Sequence, residues 1–184
     1  GTHVAGTVLD CMRGVDVKIM PIKVFGPGKK GSISHIVMGI NYAVKHGANV
    51  INLSLGGDCS NAMHAAIKNA VQNGVTVIVS AGNDAVNTVD YCPAHLEEAI
   101  VVSAIDSKLE KYIWTNYGNS VDVTAPGVAV YNTAPNGTFL TKTGTSMSAP
   151  HISTICLKCR FFDTIIVSVA IGSSGFIGHM PWSS

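Results

Sequence analysis

Gly144-Thr145-Ser146-Met147-Ser148-Ala149-Pro150-His151 is the stretch on which the reading of this chain turns. Small residues flank one hydroxyl. A serine so placed can sit at a helix start with its oxygen exposed and its backbone N–H outside the intrahelical ladder. Both features suit a nucleophile that attacks a carbonyl. They equally suit a plain N-capping serine, because Ser and Thr favour that position. The octet also argues against an α/β-hydrolase. That fold needs G-x-S-x-G, and Ser148 stands where the second glycine belongs.

Outward from the octet, three further segments recur in a fixed order: Gly1-Thr2-His3-Val4-Ala5-Gly6-Thr7, Ile51-Asn52-Leu53-Ser54-Leu55-Gly56-Gly57 and Val79-Ser80-Ala81-Gly82-Asn83. Together with the octet they resemble the subtilisin-like serine proteases, the subtilases, over residues 1 to about 151. The resemblance implies a three-layer α/β fold with a mainly parallel sheet between helices. It implies a serine-type endopeptidase that works through an acyl-enzyme on Ser146, with Asn83 in the oxyanion hole. It places Lys30 and Gly31 on an edge segment that pairs with extended substrate. Ser54, Leu55, Gly56, Ser80, Ala81 and Gly82 then line the substrate cleft.

One departure bears on activity. In the family the catalytic histidine immediately precedes Gly-Thr-His-Val-Ala-Gly, and the catalytic aspartate lies further upstream. His3 therefore matches a structural histidine. The chain is expected to lack the N-terminal part of the domain, with both partners of Ser146, and the normal C-terminal part. It divides into a partial peptidase domain over 1–151 and a divergent tail over 152–184. The isolated chain is expected to be nearly inactive. The alternative is a pseudo-protease module that binds peptides or a propeptide without cleaving them.

Composition agrees with one domain. The chain has 184 residues, of which 12% are charged and 47% hydrophobic. Few charges suit a parallel sheet covered on both faces. A net charge of +1 gives no reason to expect a nucleic-acid partner. The expected partner is a polypeptide substrate, with a propeptide as a second; a monomer is expected, with no membrane partner. The family is mostly secreted, which sets the expected location.

No metal ligand set is assigned. Subtilases often hold a tight calcium ion in the loop after the first helix, but here 9–17 is short and offers only Asp10 and Asp16. Calcium wants six to eight oxygens. The five cysteines, Cys11, Cys59, Cys92, Cys156 and Cys159, are odd in number and fit no dense disulfide framework. They read as unpaired thiols. Cys156 and Cys159 form one C-x-x-C, weak evidence for zinc, which usually needs four ligands.

Hydrophobic periodicity supplies the elements. Helices are expected over 1–9, 32–46 and 61–73, and strands over 18–25, 49–54, 75–80 and 99–104. Pro21 demotes its strand towards an edge. Gly26-Pro27-Gly28-Lys29-Lys30-Gly31-Ser32 invites a phosphate-loop reading, but Ser32 stands where the motif requires lysine. Pro135-Asn136-Gly137 marks a hairpin. His64 reads as decoration on its helix. The uncharged run 164–178 is short for a membrane span; it is expected to be an unnatural or mis-read terminus outside the normal fold, with a genuine divergent C-terminus as the alternative.

Overall fold

The computed structural model describes residues 1–26 and 31–159, with the backbone of 165–171. Its elements are α1 (Thr2–Cys11), β1 (Val17–Lys23), α2 (Ile33–Lys45), β2 (Val50–Leu53), α3 (Asn61–Gln72) and β3 (Thr76–Ser80). There follow β4 (Ile100–Ile105), β5 (Val123–Pro126), β6 (Val130–Thr133), β7 (Phe139–Lys142), α4 (Thr145–Lys158) and β8 (Ile165–Ile171). The expected helices and strands all form, with ends shifted by a residue or two. Residue 151 lies within α4.

Six strands make one sheet in the order β1-β8-β2-β3-β4-β5, and every neighbouring pair is parallel. The strand residues explain the layering. Along β2 and β3 successive side chains point to opposite faces. Ile51, Leu53, Val77 and Val79 pack with Ile36, Ile40, Met63 and Ile67 from α2 and α3. Val50 and Ile78 pack on the other face with Val4 and Val8 of α1 and Met147, Ile152 and Leu157 of α4. Helices on both faces remove the apolar strands from water, which is why β2 reads as an unbroken buried run rather than as an alternation. β6 and β7 form a separate antiparallel hairpin whose turn contains Asn136 at φ 63°.

The local stops behave as their chemistry dictates. Ser32 caps α2 by accepting from the His35 N–H, and Ser60 caps α3 by accepting from the Ala62 N–H. Gly47 and Gly74, just past those helices, both take φ +78°, where a Cβ would be strained. Pro21 lies in β1, and β1 is an edge strand, where a missing N–H costs least.

The tail corrects the sequence reading. The run 164–178 is expected outside the fold, yet its segment Ile165–Ile171 inserts between β1 and β2. Val17 pairs with Ile165 on one side, and Val50 with Val167 on the other. A β-branched, uncharged segment suits the extended backbone of a strand paired on both sides.

In the α1–α4 layer, His3 is 3% exposed, and its Nε2–H donates to the Val130 carbonyl at 3.0 Å. Burial holds its pKa below the ordinary 6.5, against the opposing effect of that carbonyl. Burial alone does the same to the half-buried His151. Both groups fold neutral and unfold with a pKa near 6.5, so the unfolded chain binds more protons once pH falls through that value. Stability is expected to hold above about pH 7 and to decline below about 6.5. Urea midpoints at successive pH values check this, and His3→Asn should flatten the decline. A second expectation concerns β8. Val169→Pro removes a backbone donor from a strand paired on both sides, so it should cost on the order of 1–3 kcal/mol for the acceptor left unpaired. An unchanged urea midpoint would show that β8 carries no fold stability.

Candidate active site

The first turn of α4 rests on the carboxyl ends of β2 and β3, where parallel sheets present their ligand sites. Gly144 is the N-cap of α4, with φ 144°, and Thr145 and Ser146 open the helix. Ser146 therefore is not the cap but lies one residue inside the helix, with its N–H among the donors that the helix itself leaves unpaired.

Four hydrogen bonds fix this turn. The Thr145 N–H donates to Asn83 Oδ1 at 2.8 Å, and the Gly82 N–H donates to Thr145 Oγ1 at 3.2 Å. Ser54 Oγ donates to the Ser146 carbonyl at 3.0 Å, and Ser146 Oγ donates to the Ser54 carbonyl at 3.4 Å. Ser146 is half-buried and Asn83 exposed. Because Asn83 Oδ1 is engaged by the helix, its Nδ2 is turned away as a donor with no acceptor among the described residues. Ser146 Oγ has no histidine or carboxylate partner among them. Every group in the network is uncharged.

The supports of this network were less visible in sequence. Asn52 is fully buried in β2; its Nδ2 donates to Ser54 Oγ at 2.8 Å, and its Oδ1 accepts from Ser153 Oγ at 3.1 Å. A polar residue inside an apolar strand is the signal that could have found it. Asn116 is also fully buried. Its Oδ1 accepts from the Asp84 and Val86 N–H groups, and its Nδ2 donates to the Ala81 carbonyl. It thereby holds the Gly82-Asn83 turn, where Gly82 takes φ +104°.

The remaining expected site residues divide into two groups. Ser80 and Ala81 are buried at the end of β3, and the Ala81 N–H donates to the Val102 carbonyl at 2.9 Å. Gly31, Leu55 and Gly56 share a cavity of about 220 Å³ with Phe25, Asp58 and Met63. Gly31 pairs with Phe25 in an antiparallel bridge. Lys30 lies outside the described residues. A larger hollow of about 490 Å³, lined by Asn87, His95 and Ser120 among others, contains none of the expected residues.

The cleft glycines do not open onto empty space, as their sequence suggests. A Cβ on Gly56 would meet Tyr91 Cε1 at 2.5 Å, and one on Gly82 would meet the same atom at 2.5 Å. The Tyr91 ring therefore occupies the room that both glycines leave. Burial, and then the negative charge of Asp84, push its hydroxyl above the ordinary pKa.

Asp10 spends one oxygen on Arg13 at 2.8 Å and the other on Asn132 Nδ2 at 3.1 Å. The five cysteines are not all unpaired: Cys59 and Cys92 form a disulfide across 33 residues. The pairing is missed in sequence because it depends on α3 and the loop before β4 folding back on each other. His64 is more than decoration, since its Nε2 lies 3.3 Å from Cys92 Sγ.

The chain is similar to known proteins over most of its length. The chain is 41% identical over 165 residues to Subtilisin DY of Bacillus licheniformis, covering 83% of this chain and 60% of that protein. It is 39% identical over 160 residues to Subtilisin-like protease 2 of Pseudogymnoascus destructans, covering 83% of this chain and 40% of that protein. Among solved structures, a cold-adapted subtilisin-like serine proteinase superposes with a TM-score of 0.82 at 29% identity, covering 86% of this chain and 59% of that one. The chain thus spans about half the length of the relatives it matches. The model of the Subtilase family matches residues 1–160, which include the first turn of α4 and both strand ends beneath it, and the chain belongs to that family.

Proposed function

We propose that this chain carries the nucleophile and oxyanion hole of a serine-type endopeptidase whose substrates are polypeptides. The observation that carries the reading is the first turn of α4. There a half-exposed hydroxyl stands beside two unspent donors, the Ser146 N–H and Asn83 Nδ2.

In this reading Ser146 Oγ attacks the carbonyl carbon of the scissile peptide bond. The new O–C bond puts a full charge on the carbonyl oxygen. The Ser146 N–H and Asn83 Nδ2 receive that charge, and they are already oriented before it develops. The Thr145 N–H sets the Asn83 carboxamide by occupying its oxygen. Collapse of the intermediate breaks the C–N bond, the amine leaves with a proton, and water later hydrolyses the ester.

The hydroxyl proton needs an acceptor, and no described histidine or carboxylate hydrogen-bonds Ser146 Oγ. A serine without a base is a weak nucleophile. The isolated chain is therefore proposed to be nearly inactive, with histidine and aspartate supplied by other parts of the parent protein. A second reading, a peptide- or propeptide-binding module without turnover, is favoured by that same observation and by the cavity beside Gly31, Leu55 and Gly56. We further propose a secreted monomer. The Cys59–Cys92 disulfide suits an oxidising compartment. No described helix is long and apolar enough to cross a membrane.

Fluorophosphonate labelling tests the first reading. The parent protein should label at Ser146, the Ser146→Ala variant should not, and the isolated chain should label far more slowly. Asn83→Ala should slow labelling by about 10²–10³, a magnitude that comes from subtilisin itself. Absence of labelling in a folded parent protein would favour the binding module. Pocket size gives a separate expectation. Tyr91→Ala should raise kcat/KM for peptides with a large side chain before the scissile bond by about 10-fold or more, relative to peptides with alanine there. An unchanged preference would place Tyr91 outside the specificity pocket.

A further inference from the structure

Four ligand-type side chains converge beside the Tyr91-Cys92 segment. Cys59, His64, Cys92 and His95 each present one sulfur or ring nitrogen, and all four atoms lie within 4.8 Å of one another. Cys92 Sγ is 3.3 Å from His64 Nε2 and 3.6 Å from His95 Nδ1, and Cys59 Sγ is 3.9 Å from His95 Nδ1. The histidine rings meet edge to face, with centroids 4.9 Å apart. The residues come from three places: the loop after β2, the first turn of α3, and the segment before β4.

Two sulfurs and two imidazole nitrogens at such separations are the donor set of a tetrahedral zinc site. Bonds of roughly 2.3 Å to sulfur and 2.0–2.1 Å to nitrogen set donor–donor edges of about 3.3–3.8 Å. Three nitrogen–sulfur separations, 3.3, 3.6 and 3.9 Å, already lie near those edges. The two sulfurs are closer, because they are bonded to each other. The sequence carries the same pattern as Cys59-x₄-His64 and Cys92-x₂-His95, two short chelating pairs.

We propose that Cys59, His64, Cys92 and His95 form a Cys₂His₂ site for a thiophilic divalent cation of the zinc class, exposed when the disulfide is reduced. A dithiol reductant supplies two electrons and two protons. The Cys59–Cys92 bond opens to two thiols, and the reductant closes its own disulfide. The cation then takes both sulfurs as thiolates and releases their two protons to solvent. His95 Nδ1, which faces the Tyr91 carbonyl at 3.3 Å in the oxidised form, exchanges that contact for the metal. Cys59 is exposed and Cys92 buried, so reductant and metal enter from the Cys59 side.

The position gives the site a consequence. The Gly57 N–H donates to the Cys92 carbonyl at 3.0 Å, and Tyr91, next to Cys92, lies across Gly56 and Gly82. Disulfide and metal are thus two alternative clamps on the same pair of cleft walls.

The test uses the full chain with Cys11, Cys156 and Cys159 replaced by serine, so that Cys59 and Cys92 are its only sulfhydryl pair. It is titrated with Co²⁺, and then Zn²⁺, before and after reduction by a water-soluble phosphine, while far-UV circular dichroism follows the fold. One equivalent of Co²⁺ with a thiolate charge-transfer band is expected in the reduced chain only. Co²⁺ binding should release about two protons, and Zn²⁺ should then displace the Co²⁺ with no further release. His64→Ala and His95→Ala should each weaken Zn²⁺ binding by at least about 10–100-fold, the loss that even an outer-shell change causes. Any of three results would overturn the proposal: a reduced, folded chain without the band, binding that survives loss of both histidines, or a reduced chain that unfolds and does not refold with Zn²⁺.

Discussion

The hydrogen bond from the Thr145 N–H to Asn83 Oδ1 ties the start of α4 to the end of β3, and the site depends on it. It satisfies one of the donors that a helix N-terminus leaves open, and it spends the oxygen of a carboxamide whose nitrogen is then free to donate. The Ser54–Ser146 pair repeats the arrangement on β2. Both contacts need α4 to lie flat across the sheet. That in turn needs Met147, Ile152 and Leu157 to be buried against Val50, Ile78 and Val102. The polar geometry at the surface is therefore set by apolar packing beneath it.

Strands β2, β3 and β4 carry no charged residue and pack against helices on both faces. Two buried amides make their bonds within the protein: Asn52 with Ser54 and Ser153, and Asn116, in the loop after β4, with the Ala81 carbonyl and two N–H groups. Buried amides cost stability unless their bonds are made, so each of these residues fixes a direction as well as a contact. Asn52 orients the Ser54 hydroxyl towards α4, and Asn116 holds the Gly82 turn that presents Asn83. These two side chains convert a generic parallel sheet into a specific surface at its carboxyl ends.

Much of this was legible in the chain. The 3.6-residue stripe of Ile36, Ile40 and Ala43, and that of Met63, Ala66, Ile67 and Ala70, mark α2 and α3 because one helix face must be apolar. Ser146 and Asn83 are picked out by the resemblance of their segments to the subtilases; alone, the serine reads as a helix cap and Gly82-Asn83 as a turn. What escaped reading depended on distant pairing. Cys59 and Cys92 meet only after α3 has folded, and Tyr91 fills the glycine cleft only because Gly56 and Gly82 approach it from two strands. The segment Ile165–Ile171 reads as an isolated apolar run, since nothing local says that β1 and β2 leave a strand's width between them.

In the proposed reading the Ser146 N–H and Asn83 Nδ2 form one anion-binding pair beside the nucleophile. A crystal structure of the parent protein with a phosphonate bonded to Ser146 Oγ tests this pairing. A phosphonyl oxygen within hydrogen-bond distance of both nitrogens is expected, with Asn83 Oδ1 still accepting from the Thr145 N–H. An adduct whose oxygen points to solvent, or an Asn83 carboxamide turned away from it, would rule the pair out.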